Sequence, residues 1–364
     1  MATILTCYYR PKPGGFCKRL FRAMGALLER GHSVHYLAVM PFPVIHPHCH
    51  FHRFPWPRNK TERLPFWIAF HFLAPLVLIF LGIRYRIDRV FAFGANYGFL
   101  LQPVRLIKRT SLCLFLRADN IRNHALKGRS RFLLVTERLI EGLGIHDARV
   151  HAVSDALKEA TIERHRFFEP QSSGILPNNI ERVGELNDHP IRYSLPVRLA
   201  CVGILEKRKN QRFLLELMER IRPEQAQLYL YGIGPDEKLL KQMSQEKRLM
   251  KSVHFMGWLA ERDIWTNVDL LLTPSLHEGA PNAVLEAMAR GIPVLASDIP
   301  EHREILPPES LISPHSELLW LQRLQKLIGK PNMELQKMSE TQFRYAKRLQ
   351  FDWNEIICKH ILNP

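Results

Sequence analysis

Residues 277–298 read HEGAPNAVLEAMARGIPVLASD. Two carboxylates, Glu278 and Glu286, bracket a Gly-Ala-Pro-Asn turn and a short apolar run. Pro281 or Asn282 can open a helix, because Pro is tolerated in the first turn and Asn caps well. Ala283, Leu285, Ala287, Met288 and Ala289 are mostly good helix formers, and Gly291 stops the helix. Residues 293–296, Pro-Val-Leu-Ala, then read as a short buried strand. Loop, helix and apolar strand in this order make one turn of an α/β fold. Glu278 falls in the loop before the helix and Glu286 falls inside it. A helix N-terminus carries unsatisfied N–H groups and partial positive charge, so it attracts anions. Carboxylates on either side suit a ligand that carries hydroxyls as well. His277 reads equally as a site residue or as a loop residue.

The same alternation extends in both directions. In the first half, 3–8, 32–40, 89–93, 112–116 and 150–153 read as strands, and 16–30 as a helix stopped by Gly31. Ser154-Asp155 opens a further helix. In the second half, strands are expected at 197–202, 227–231, 253–255 and 270–273, with helices at 210–220 and 236–246. Strand and helix in turn imply doubly wound parallel sheets. A polar stretch at 181–196 reads as the linker. It divides the chain into domains at 1–185 and 186–345, facing across a cleft. A long helical stretch from 333 to 362 follows, and its last part, about 346–364, is expected to return to the first domain.

The chain has 364 residues, 46% of them hydrophobic, enough for two cored domains. Its formal net charge is +16, from 51 basic and 35 acidic side chains. Residues 1–180 hold 26 of the basic and 11 of the acidic residues, a balance of +15. A basic surface of this kind attracts nucleic acid, anionic lipid or phosphorylated small molecules. No Lys/Arg block is long or repetitive and no zinc-finger or RNA-recognition signature occurs, so nucleic acid is not expected as a partner. The six cysteines form no Cys-x-x-Cys pair, which fits a reduced compartment. No signal peptide is read at the N-terminus.

Two segments of the first half stand out. Residues 66–83, FWIAFHFLAPLVLIFLGI, carry no formal charge over 18 positions, which touches the transmembrane threshold. His71, Pro75 and the strand-like RIDRVFAFG that follows favour a buried or interfacial helix. HPHCHFH at 46–52 has the side chains of a metal site, but no distant partner completes it. It reads as an aromatic, partly cationic loop.

The second half resembles the retaining glycosyltransferases of family 4, which have the GT-B fold of two Rossmann-like doubly wound domains. EGAPNAVLEAMARGIPVLASD is similar to that family's E-x7-E segment, including the Gly after the first Glu, the Pro-Asn and the Gly-x-Pro-Val strand. VGILEKRKN at 202–210, LYGIGP at 230–235, VHFMGW at 253–258 and VDLLLTPSLHEG at 268–279 occur in the family's order. In the first half the match is looser, at Gly14-Gly15, ERGHSV (29–34), HAVSDALK (151–158) and LPNNIE (176–181). The resemblance implies sugar transfer from a nucleotide-sugar to a hydroxyl acceptor, such as a glycan or lipid-linked glycan in bacterial lipopolysaccharide or surface-polysaccharide assembly. It implies that Glu286 holds the ribose, that Glu278 contacts the sugar, and that N–H groups from Ala280 to Asn282, beside Gly279 and Pro281, meet the diphosphate. Lys209, with Arg208 beside it, would neutralise the leaving group, and Gly15 would let backbone approach the phosphate from the other domain.

The chain departs from the family twice. Ile204 stands where the family usually has Arg, leaving Lys207 or Arg208 as substitutes, although neighbouring positions on a strand or loop face different ways. Arg117 or Asp119 is left where many members carry a His. No Asp-x-Asp occurs, so a metal-free, cofactor-free hexosyltransferase is expected. The basic, apolar first half adds the expectation of a cytoplasmic protein held peripherally on the anionic inner leaflet. A non-catalytic sugar-nucleotide-binding relative, a basic nucleic-acid binder and a nucleotide-sugar epimerase are the rival readings.

Overall fold

The structure is a computed structural model and describes residues 1–12, 14–181 and 193–363. The chain forms two compact units, residues 1–177 with 352–364, and residues 178–351. The boundary expected at 185/186, and most of the 181–196 linker, lies outside the described residues.

The first unit runs β1 (Thr3–Cys7), α1 (Gly15–Glu29), β2 (Ser33–Ala38), β3 (Cys49–Arg53), α2 (Leu64–Arg84), β4 (Arg89–Phe93), α3 (Ala95–Lys108), β5 (Leu112–Leu116), α4 (Asn120–Leu126), α5 (Arg131–Ile145), β6 (Arg149–Ala152), α6 (Asp155–Arg164) and β7 (Ser172–Ile175). Its seven strands are all parallel, in the order β3-β2-β1-β4-β5-β6-β7. The central strands are short runs of Val, Leu, Phe, Ala and Cys because helices cover both faces. Ser154 caps α6 by accepting from the Leu157 N–H at 3.2 Å.

Residues 49–53, expected in a loop, are instead the edge strand β3, paired with β2 from Val34↔Cys49 to Ala38↔Arg53. His, Phe and Arg alternate there without an apolar face, so no strand period was legible. The register places His35, His50 and His52 together. His35 Nδ1 lies 2.9 Å from His52 Nε2, and the His35 and His50 rings are 4.5 Å apart. Among the described residues no group of three or more His, Cys, Asp or Glu side chains is arranged to hold a metal ion.

The second unit runs β8 (Val197–Val202), α7 (Gln211–Met218), β9 (Ala226–Tyr231), α8 (Glu237–Glu246), β10 (Val253–Gly257), α9 (Glu261–Ile264), β11 (Leu270–Thr273), α10 (Asn282–Met288), β12 (Val294–Ser297), α11 (Pro300–Arg303), β13 (Leu311–Ile312), α12 (Glu317–Gly329) and α13 (Pro331–Arg348). Its six strands are parallel, in the order β10-β9-β8-β11-β12-β13. Alternate residues of β8 divide between two cores. Val197, Leu199 and Cys201 pack with Leu214, Leu217 and Trp320, while Ala200 packs with Val284, Leu285 and Met288.

Residues 178–181 already belong to this unit. The Asn178 amide donates to Asn282 Oδ1 at 2.5 Å, and the Ile180 N–H donates to Leu349 O at 3.0 Å. The stretch expected to be helical from 333 to 362 is two helices. Asp352 ends the break by accepting from the Glu355 N–H at 3.0 Å and starts α14 (Trp353–Leu362). α14 packs on α1: Arg22 Nε donates to Asn354 Oδ1 at 2.6 Å, and the Arg19 guanidinium lies 5.0 Å from the Trp353 ring centre. The crossing therefore falls at 351/352, where the sequence placed it near 345.

Candidate active site

In the second sheet the chain winds from β8 outward to β9 and β10, and from β11 outward the other way to β12 and β13. β8 and β11 are paired neighbours, Leu199 opposite Leu270. The loops leaving their C-terminal ends diverge, and such a switch point is where open parallel sheets place ligands. The two loops are residues 203–210 and 274–281. They are laced by backbone, with the Leu276 N–H donating to Arg208 O at 2.8 Å. Topology thus brings together side chains that are about 70 positions apart in sequence.

Lys209 Nζ lies 2.5 Å from Glu278 Oε1, and Arg208 Nη1 lies 2.9 Å from Glu278 Oε2. Arg208 Nε also donates to Glu206 Oε1 at 2.6 Å, and the Ser275 hydroxyl donates to Glu278 Oε1 at 2.6 Å. Two successive residues converge on one carboxylate because 207–209 form a short 3-10 turn rather than a strand. Arg208, weighed in sequence as a substitute for the Arg absent at Ile204, thus shares one carboxylate with Lys209. Glu278 is 4% exposed. Burial by itself would raise its pKa, but Lys209 and then Arg208 hold it well below the usual carboxylate range.

The glycines of this region have a steric reason. A Cβ on Gly203, whose φ is +147°, would meet Lys209 Cε at 3.2 Å. A Cβ on Gly234 would sit 2.2 Å from Leu205 O. The Gly-x-Gly-Pro turn lies directly on the loop that carries the cations, and only glycine allows that approach.

α10 begins at Asn282 and Gly291 takes the left-handed φ of +70° beyond its end, as the sequence indicates. The anion-binding expectation for 280–282 needs a correction. Pro281 has no N–H, and the Asn282 N–H donates to Ala280 O at 2.9 Å. Ala280 stands in the loop ahead of the helix, and Ala283 lies in its first turn. Gly279 stands in the loop just ahead, and Glu286 is half-buried in α10 itself.

A buried polar chain beneath Glu278 was not foreseen. The Ser297 hydroxyl donates to Ser275 O at 2.5 Å, and His302 Nδ1 lies 2.8 Å from Ser297 O. Burial lowers the His302 pKa against the opposing pull of Glu278. Thr273-Pro274-Ser275, where apolar β11 gives way to the loop, is a sequence trace of this network.

The remaining sequence candidates lie in the first unit. Gly15 is the first residue of α1, and Gly14 before it takes the positive φ of 122°. Arg117 is buried at the end of β5, with Nη1 donating to Leu176 O at 3.1 Å. Burial, followed by Arg19, lowers its pKa to about 9. It lines a pocket with Asn96, Asn120, Glu137 and Glu141. Asp119 is committed locally. It caps α4 through the Arg122 N–H at 2.9 Å and pairs with Arg164.

Residues 196–329 match the sequence model of glycosyl transferases group 1. An uncharacterised glycosyltransferase of Methanocaldococcus jannaschii is 27% identical over 164 residues, spanning 42% of this chain and 40% of that protein's length. Two solved structures superpose on nearly the entire chain. Anabaena HepE in complex with UDP-glucose has a TM-score of 0.76 at 16% identity, covering 99% of each chain. WaaG, a glycosyltransferase involved in lipopolysaccharide biosynthesis, has a TM-score of 0.74 at 18% identity, covering 100% of each. At these identities the likeness concerns the fold, two Rossmann-like units of the GT-B class. The match over 196–329 contains β8, β11, α10 and every residue of the cation–carboxylate cluster, so it is this part of the chain that is similar to the glycosyl transferases of group 1.

Proposed function

We propose that this protein is a retaining, metal-independent glycosyltransferase that moves a hexose from a nucleoside-diphosphate sugar to a hydroxyl of a glycan or lipid-linked glycan. The observation that carries this reading is the convergence of Arg208 and Lys209 on Glu278 at the switch point between β8 and β11. With Glu206 included, the four formal charges sum to zero, yet they are layered. The side chains of Glu278 and Glu206 are 3% and 7% exposed, those of Lys209 and Arg208 13% and 21%. The carboxylates are recessed and the cations face outward, so an arriving diphosphate meets positive charge held at fixed positions.

Such preorganisation is what departure of a nucleoside diphosphate requires. Charge builds on the leaving phosphate, and cations already in place stabilise it without reorganising. Lys209 and Arg208 supply that charge together with the Ala280 N–H. Glu278 holds both cations, and it turns toward the sugar only as the diphosphate draws one of them away. Glu286, inside α10, accepts from the ribose hydroxyls. Gly279, Pro281 and Asn282 shape the turn between the two carboxylates. Lys209, Arg208 and the backbone N–H groups do the work that an Asp-x-Asp-bound metal does elsewhere, and the sequence has no Asp-x-Asp.

The setting proposed is bacterial lipopolysaccharide or surface-polysaccharide assembly, on the cytoplasmic face of the membrane. It draws support from the likeness to WaaG and from the balance of +15 in residues 1–180. The test is a thermal-shift panel of UDP, GDP, ADP and their sugars, followed by turnover in EDTA. A ligand that binds the folded state raises its melting temperature. A shift with one nucleotide family and EDTA-resistant turnover is expected. A shift without any turnover would favour a non-catalytic sugar-nucleotide binder, and activity lost in EDTA and restored by manganese would refute metal independence.

A further inference from the structure

α2 is apolar on every side, and the structure divides it into two opposed stripes. Phe66, Phe70, Ala74 and Leu78 recur every fourth residue and are fully buried in the first unit. Ile68, Phe72, Leu76 and Phe80 recur at the same spacing two positions on, which is the opposite side of a helix, and all are more than half exposed. Phe72 alone is 74% exposed. α5 repeats the pattern. Phe132, Val135, Leu139 and Leu143 form one solvent-facing stripe, with Phe132 78% exposed. α3 packs against both α2 and α5, and its last turn exposes Leu106 and Ile107. These helices connect β3 to β4, β4 to β5 and β5 to β6, so right-handed crossovers put them in one layer on one side of the sheet. The outer surface of that layer therefore carries two parallel rows of large apolar side chains, more than isolated exposed residues produce.

The charge around α2 and α3 is predominantly basic, while α5 carries Glu137 and Glu141 and Asp147 pairs with Arg105. Between residues 63 and 118 there are eight basic residues and a single acidic one, Asp88. Arg63 precedes α2, Arg84 ends it and Arg86 follows, Arg109 follows α3, and Arg131 opens α5; all of these are exposed.

We infer that the α2–α3–α5 face lies on an anionic lipid bilayer, with α2 in the plane of the interface and not across it. This deepens the proposed function by naming the surface through which the enzyme meets its membrane. The 21 residues of α2 make a helix of about 31 Å, long enough to span. Spanning would strip Phe66, Phe70 and Leu78 from the core of the first unit and leave a cavity in their place. Lying flat keeps that stripe buried and offers the opposite one to the acyl chains, with the arginines at headgroup level. A second copy of the chain is a poorer occupant, because a two-fold contact would set one cationic rim against another.

The test is flotation with vesicles of phosphatidylcholine alone or mixed with phosphatidylglycerol, at low and high salt. The full chain is compared with a Phe72→Gln/Phe80→Gln variant and an Arg84→Gln/Arg86→Gln variant. Both pairs are exposed, so melting temperatures and any nucleotide-induced shift should match those of the parent. The parent is expected to float only with phosphatidylglycerol and to release at high salt. Each variant is expected to bind at least about tenfold more weakly. Failure of the parent to float at low salt, or undiminished flotation of the Phe variant, overturns the inference. So does lipid-free self-association that the Phe variant abolishes, which would assign the face to a second copy. None of these readouts uses turnover, so the glycosyltransferase reading stands or falls separately.

Discussion

The two units share a parallel doubly wound topology and spend their unusual residues differently. The second concentrates them at a point: four charged side chains and one serine meet where the loops after β8 and β11 emerge. Its exposed large apolar residues, such as Ile233, Met250, Trp258 and Leu318, follow no shared period. The first unit spreads them over a face, in apolar rows that recur every three or four residues and in a surplus of arginine with few partners of opposite sign. A small charged ligand is met by a few groups in fixed geometry, and a fluid surface by area and net charge. The contrast separates two kinds of recognition built on one architecture.

The largest effect should come from testing the two stripes of α2 against each other. Phe70→Ala removes a fully buried ring and should cost about 3–5 kcal/mol of stability. Phe72→Ala, two residues on and exposed, should change stability by less than about 0.5 kcal/mol. Equal losses in urea unfolding would mean that the outer stripe is covered in solution, and the contrast between the units would collapse.

Next in size is Lys209→Ala. Removing a preorganised cation from a developing negative charge should lower turnover on the order of 10²–10³-fold. Vesicle binding should not change, since Lys209 lies in the second unit. A parallel loss of both would show that the units do not divide the work in this way.

A smaller effect sharpens the point-like site. Glu286→Ala should weaken the sugar-free nucleotide about tenfold, the value of a good hydrogen-bonding partner. Glu278→Gln, which loosens both cations, should reduce turnover more than nucleotide affinity. Equal weakening of nucleotide binding by the two substitutions would show that both carboxylates act on the nucleotide.

A last effect concerns pH and belongs to the first unit. Burial, followed by the neighbouring His50 and His52, lowers the His35 pKa to about 4. The unfolded chain then binds a proton that the folded one refuses, so stability should fall as pH drops from about 6.5 toward 4 and level off below. Urea midpoints across that range should flatten in His35→Gln. An unchanged slope would remove His35 from the titration.

The second unit was the more legible in sequence because its information is local. Pro-Asn and Gly291 mark the ends of α10, and Lys209 stands at a readable distance from β8. Arg208 was named beside Lys209 through the resemblance, but its convergence on the same carboxylate was not legible, because its direction depends on a 3-10 turn that residue type does not announce. β3 was missed because polar and aromatic residues alternate on both of its faces. The break before α14 was hidden in a region of good helix formers, where only Asp352 signals a restart. α2 was read from sequence as a buried or interfacial helix, but which of its sides is buried was not legible. A helix that is apolar all round has no sequence period to say which side is buried, and the answer came from what the rest of the first unit packs against it.

The return of α14 to the first unit has a consequence for synthesis. α1 leaves the ribosome early, but the helix that packs on it is made only after residues 178–351. At about 5–20 residues per second those 174 residues take roughly 9–35 s. Through that interval the side of α1 destined for Trp353 has no partner of its own chain. The second unit, encoded without interruption, completes first although it begins later, and the nascent first unit is the form in which a chaperone would find this chain.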